Sequence, residues 1–471
     1  MSFPVTDDFN WQPDAVAVEP APEPYSNPPE SSPDDDRLRP HGFIEWFVVS
    51  QTAIPAMLYL PGSQAFRLPL RVGAYGVTLL GFLLWWFDRG RRGATKHPAE
   101  RWLLLVLLCL VTMIFHPGTA SLMAGVAQTT LYFAVLCPVF WAPSWVDRRR
   151  QLVRILAILL VCNGINSIVG VMQVYDPARW MPRELSSVLT REQLDAAKYL
   201  GPDGRLILRP PGLFDTPGAV CGPGTIAALL GLIFALEPLA WWKRAVALLL
   251  SFAGIAAIYL SHVRTNLVVL LGMMAVYAGI LATRQMKTRA ANFTALAAGV
   301  LIFGLSGATF LGGDSVHDRF STLFEENPRQ LYYANRGQQV EFAFTNLISD
   351  YPLGAGLARW GMMRGYFGDT PHFDSPELWA EVQPNGWILD GGIFLLGFYA
   401  IALVVTARYE WILVRSLHDR DDKLWAAAVA ATNLGTLALL FTFVPFVTQV
   451  GLQYWFLEGA LHGALGAKKA G

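Results

Sequence analysis

Between Phe43 and Leu465 the chain alternates long apolar runs with polar connections. The runs are Phe43–Leu60, Leu68–Phe87, Trp102–Phe115, Ala120–Trp141, Leu152–Val174, Ala219–Ala240, Ala245–Leu260, Leu267–Ala282, Ala291–Leu311, Gly386–Ala407, Leu424–Phe443 and Thr448–Leu465. About 20 apolar residues in a helix cross roughly 30 Å of hydrocarbon, so the pattern predicts an all-α polytopic membrane protein with about 12 transmembrane helices. The third run is short for a span, and the last pair, around Pro445, has the spacing of a re-entrant hairpin. Residues 1–40 follow no such pattern. They are rich in Pro, Ser, Asp and Glu, include Asp34-Asp35-Asp36, and read as a disordered cytoplasmic tail without a signal peptide. Residues 41–471 then form a single polytopic membrane domain, with long connections at about 175–218 and 312–385.

Composition agrees with the pattern, since 53% of residues are hydrophobic and only 15% charged. The zero net charge says nothing about nucleic acid, because in a membrane protein the placement of cations reports orientation; the expected partners include no nucleic acid. Basic residues cluster in alternate connections: Arg89 to Arg101, Arg148 to Arg150, Lys243 and Arg244, Arg284 to Arg289, Arg408 to Lys423, then Lys468 and Lys469. The positive-inside bias puts these and both termini in the cytoplasm and turns the two long connections outward. Arg67 and Arg71, in an outer connection, read as boundary residues. Cys109, Cys137, Cys162 and Cys221 lie in or beside apolar runs and show no ligand spacing, so they read as small core residues with neither a zinc site nor a disulfide framework.

The stretch "NRGQQVEFAFTNLISDYPLGAGLARW" reads as an amphipathic helix, apolar at Val340, Ala343, Phe344, Leu347 and Ile348, ending in a proline and two glycines. Around it the outer face carries arginines in a protein with little charge to spare. Arg209 lies in "LRPPGLFDTPGAV", Arg264 in "YLSHVRTNLVVLL" at a membrane boundary, and Arg336 opens the amphipathic helix. A guanidinium holds two phosphate oxygens at once, most strongly near a low-dielectric boundary, so a lipid diphosphate at headgroup depth suits them. The outside has no DxD-type metal site, so no cofactor and no metal is expected. Arg319, Arg329, Arg359 and Arg364 read as partners of acids within their own loop.

Four segments resemble, in order, the bacterial O-antigen ligase and O-antigen or exopolysaccharide polymerase superfamily: "RPPGLFDTPGAVCGPG", "LSHVRTNLVVLLGM", "NRGQQVEFAFTNLISDYPLGAGLARWGM" and "QPNGWILDGGIFLLGFYAI". The closing "LQYWFLEGALHGAL" is similar to its last span. The resemblance implies a GT-C-like fold and a metal-independent inverting glycosyltransferase in the bacterial inner membrane. Its donor would be an undecaprenyl diphosphate-linked glycan, and its acceptor another glycan or lipid A core. Arg209 and Arg264 are implied as the diphosphate pair, with Arg336 as a further contact and the amphipathic helix as a lid lying on membrane lipid. Where the family has His-Asn, this chain has Gln383-Pro384-Asn385, so the acceptor-activating histidine is missing. Glu381 stands two residues from the gap and is the first candidate to replace it, as a carboxyl against an apolar surface. Glu377, His372 and His262 are further titratable candidates, and Asn385 keeps its place in the motif. The departure favours a repeat-unit polymerase, working with a chain-length regulator, over a ligase. A lipid-linked oligosaccharide transporter and a non-catalytic scaffold are the readings from other classes. Against the transporter stands the lack of a repeat, Glu458 having no evident counterpart in the first half.

Overall fold

The computed structural model describes residues 42–466 apart from 61, 89–95, 183–184, 186–190, 202–203, 284–285, 326 and 369–377. The tail expected over residues 1–40 therefore lies outside the described residues, as do His372 and Glu377. The chain divides at Phe43, and the second unit, Ile44–Gly471, holds the helical bundle.

Every apolar run is helical. Eight helices are long and apolar enough to cross a membrane. They are α2 (Arg67–Phe87), α4 (Leu122–Trp145), α5 (Arg149–Tyr175), α7 (Trp241–Leu260), α8 (Arg264–Thr283), α9 (Lys287–Gly312), α12 (Gln383–Ser416) and α13 (Arg420–Phe441). Four further runs give shorter helices of 13 to 15 residues: α1 (Phe43–Ala56), α3 (Glu100–Met113), α6 (Cys221–Ala235) and α14 (Gln449–Leu461). At 1.5 Å per residue these reach about 20 Å. Leu83, Phe303 and Val404 are exposed on long helices, as side chains that meet lipid tails would be. The result is an all-α membrane protein whose described strands are one hairpin, β1 (Lys198–Leu200) and β2 (Leu206–Leu208).

Small residues let the backbones approach. A Cβ on Gly254 of α7 would stand 2.5 Å from the Gly224 carbonyl of α6, and one on Gly304 of α9 would stand 2.4 Å from Ile255 Cγ2. Such contacts replace the hydrophobic drive that lipid removes between helices. The "LAAGVLIFGLSGA" stretch thus packs α9 on α7.

The polar segments between α9 and α12 are α10 (Asp314–Glu325) and α11, residues 328–350, whose turns alternate between α and π geometry. Each π turn adds a residue and rotates the face. Gly337, Ala343 and Leu347 are buried, while Phe344, on the apolar stripe expected to lie on lipid, is exposed together with Phe342. The following Pro352-to-Gly356 turn docks on a break in α12. There Ile393 N donates to the Pro352 carbonyl at 2.9 Å and Ala355 N to the Leu389 carbonyl at 2.7 Å. Gly391 and Gly392 leave helical geometry at this break. Gly356 (φ 103°) and Gly392 (φ 62°) both hold left-handed backbone that a side chain disfavours. Asp390, buried beside the break, accepts from Tyr132 Oη at 2.7 Å, Trp360 Nε1 at 3.0 Å and Gln128 Nε2 at 3.3 Å. Three donors compensate its burial and tie α4, the loop and α12 together.

Candidate functional site

The hairpin positions Arg209. Immediately after β2, Arg209 N donates to the Ala197 carbonyl at 3.0 Å, and its own carbonyl accepts from Gly218 N at 3.3 Å. The Pro211-to-Asp215 loop that follows is held from two sides. From α5, Gln173 exchanges hydrogen bonds with the Gly212 backbone at 2.9 and 2.8 Å, and Asn166 Oδ1 accepts from Leu213 N at 2.9 Å. From α2, Arg71 Nε reaches Asp215 Oδ2 at 2.8 Å and Arg67 Nη2 reaches it at 3.2 Å. Arg67 and Arg71 are therefore loop anchors as well as boundary residues.

The turn Ser261-His262-Val263 between α7 and α8 meets this loop. A Cβ on Gly218 would lie 3.4 Å from Val263 and 3.9 Å from the Arg209 side chain. Tyr199, paired in register with Ile207, lays its ring against His262 with centroids 3.9 Å apart. His262 itself sits at φ 56°, a left-handed conformation rare for a residue with a side chain. Arg264 opens α8 and so stands at the N-terminal end of that helix.

The Arg264 charge acts on Arg209, and the Arg209 and Arg319 charges act on His262, so these side chains share one neighbourhood. Burial first, and the Arg264 charge second among the lowering causes, hold Arg209 below the ordinary guanidinium range. Burial, then Arg209 and Arg319, push His262 down to about 4, so its ring is neutral at physiological pH. Arg209 Nε and His262 Nε2 are buried and have no hydrogen-bond partner among the described residues. Buried donors left unused beside a second guanidinium suit an anionic ligand. Arg319, read from sequence as a partner of loop acids, belongs to this cluster.

This arrangement has a pH signature. Unfolded His262 titrates near 6.5 and folded His262 near 4, so the unfolded chain binds more protons in between. Stability falls as pH drops from 6.5 towards 4, by about 2 to 3 kcal/mol from this ring. Melting in detergent at pH 7 and 4.5 should show a smaller drop for His262→Gln than for the unaltered protein. Equal drops would contradict the assignment.

A second polar group lies at the same end of the bundle. α8 packs on α13 where Gly435 faces Met273 and Val269, within about two and a half turns of Arg264 and two of Phe441. Tyr332 of α11 donates to the Phe441 carbonyl at 3.1 Å. Further along α11, Arg336 forms an ion pair with Glu381, which also accepts from Gln339 Nε2 at 2.7 Å. Glu381 is therefore the partner of a guanidinium and an amide, not the isolated carboxyl against an apolar surface expected from sequence. Burial lowers the Arg336 guanidinium from its usual value. At the start of α12, Gln383 accepts from Phe446 N at 2.8 Å, while Asn385 Oδ1 is buried without a partner among the described residues. Arg359 donates to the Ala355 carbonyl at 3.2 Å, a backbone contact beyond the acidic pairing expected for it.

No family model matches this sequence, and no curated protein matches it either.

Proposed function

We propose that the chain is a metal-independent inverting glycosyltransferase of the bacterial inner membrane, acting on an undecaprenyl diphosphate-linked oligosaccharide. Both termini would lie in the cytoplasm and the arginine cluster at the outer face. The eight long helices and four shorter ones would give a twelve-span, GT-C-like bundle. The observation that supports this reading is Arg209, which feels the Arg264 charge and keeps a buried Nε without a hydrogen-bond partner among the described residues.

The acceptor hydroxyl attacks the anomeric carbon opposite the diphosphate. The bond from that carbon to the phosphate oxygen breaks, and its electron pair stays on the leaving diphosphate, which Arg209 and Arg264 neutralise. The hydroxyl proton goes to a neutral base. Glu381 is occupied by Arg336, whereas His262 is neutral, carries an unused Nε2 and lies within the cluster. His262 is therefore the better candidate for that proton. Arg336 and Asn385 remain candidates for sugar contacts, and α11, with Phe342 and Phe344 exposed, for the surface that meets lipid.

The test is incubation of purified protein with a lipid diphosphate-linked oligosaccharide, with and without delipidated core acceptor. A ladder of products without acceptor, undiminished by EDTA, is the expected result for a polymerase. A single acceptor-dependent product would make the protein a ligase. Absence of any product, with movement of the lipid across vesicles, would make it a transporter.

A further inference from the structure

Glu410 and Glu458 lie outside the arginine site and take no part in the chemistry proposed above. Glu410 stands near the end of α12 remote from Gln383, and Glu458 on α14 faces it. Their carboxyl groups are close enough to act on each other's charge. Asn433 of α13 donates to both, at 3.2 Å to Glu410 Oε1 and 2.8 Å to Glu458 Oε1. Both side chains are buried, Glu458 completely.

We propose that Glu410 and Glu458 hold one shared proton and form a protonation site inside the bundle. Two carboxylates side by side in a low-dielectric interior cannot both be charged without a cation. Among the described residues no Lys or Arg pairs with either. The nearest basic group is His97, whose Nε2 stands 3.8 Å from Glu458 Oε2, and burial pushes this ring down to about 3, so it supplies no charge. The other titratable groups facing the pair are Tyr454, on the same side of α14, Tyr409 of α12, and His462, which shares a 2.5 Å hydrogen bond with Tyr409.

Four buried atoms here lack partners among the described residues: His97 Nε2, Glu458 Oε2, Asn433 Oδ1 and Tyr454 Oη. Unused polar atoms around two carboxyls mark a site that takes up something small and positive. A hard metal cation requires about six oxygen ligands. Among the described residues no three His, Cys, Asp or Glu side chains are placed to hold one. One proton needs only the two carboxyl oxygens. Such intramembrane carboxyl pairs suit proton uptake and release, an activity independent of phosphate chemistry.

Infrared spectroscopy of the full chain in detergent tests the site. The protein at pH 7 should show the carbonyl stretch of a protonated carboxyl group, shifted in heavy water and lost at high pH. The Glu410→Gln, Glu458→Gln double variant should lack it. If that variant fails to fold, the single variants Glu410→Gln and Glu458→Gln decide, because each should shift or remove the band, whereas Asp390→Asn should leave it. Absence of the band at pH 7, or its disappearance when sodium replaces choline at constant pH, would overturn the proposal.

Discussion

Replacing Arg209 or Arg264 by alanine should cut glycan transfer by about 100- to 1000-fold, the usual cost of removing one donor to a developing anion. Lysine at either position should be nearly as damaging, because a point charge cannot reproduce the two-pronged contact. Stability should move differently from activity. Arg209 is half-buried, its Nε is buried and unused, and the Arg264 charge disfavours its own, so Arg209→Ala removes a cost along with a ligand contact. Its melting temperature should equal or exceed that of the unaltered protein while the product ladder vanishes. A variant that loses stability and keeps its transfer activity would mean that Arg209 is a structural tie.

Gly392→Ala should have the largest effect on folding. A Cβ there would lie 2.1 Å from the Pro352 carbonyl oxygen and 2.7 Å from Gly354 N, on a residue held at φ 62°. Both obstacles are backbone, so no side-chain rotation relieves them. The cost should be about 3 kcal/mol, read as a lowered melting midpoint and poor yield. Gly397, one turn and a half further along α12, meets nothing within 4 Å, so Gly397→Ala should be neutral or slightly stabilising. Equal midpoints for the two variants would show that the Pro352 turn does not dock on the α12 break.

The helices were legible because lipid demands long apolar runs, and every run of that kind folded as a helix. The break at Gly391-Gly392 was hidden inside such a run, since glycine continues an apolar pattern while permitting a non-helical backbone. Arg209 and Arg264 stood out as cations on a face with few. Arg319 did not, because its neighbours in sequence are acidic and only the fold brings it to His262. The ion pair of Glu381 was hidden for the same reason: its partner Arg336 is far away along the chain. Glu458 was discounted for want of a counterpart in the first half, whereas Glu410 lies in the second half, on α12. Local pattern records what a segment buries, and pairing of charges across helices is set by packing that no single segment encodes.

The central claim is that the Arg209 and Arg264 cluster holds a lipid diphosphate. Equilibrium binding of undecaprenyl diphosphate to the purified full chain, followed by native mass spectrometry, tests it most directly. Binding to the unaltered protein that is lost in Arg209→Ala and Arg264→Ala, and kept in Glu410→Gln, is the predicted result. Equal binding by all four proteins, or none by the unaltered one, would contradict it.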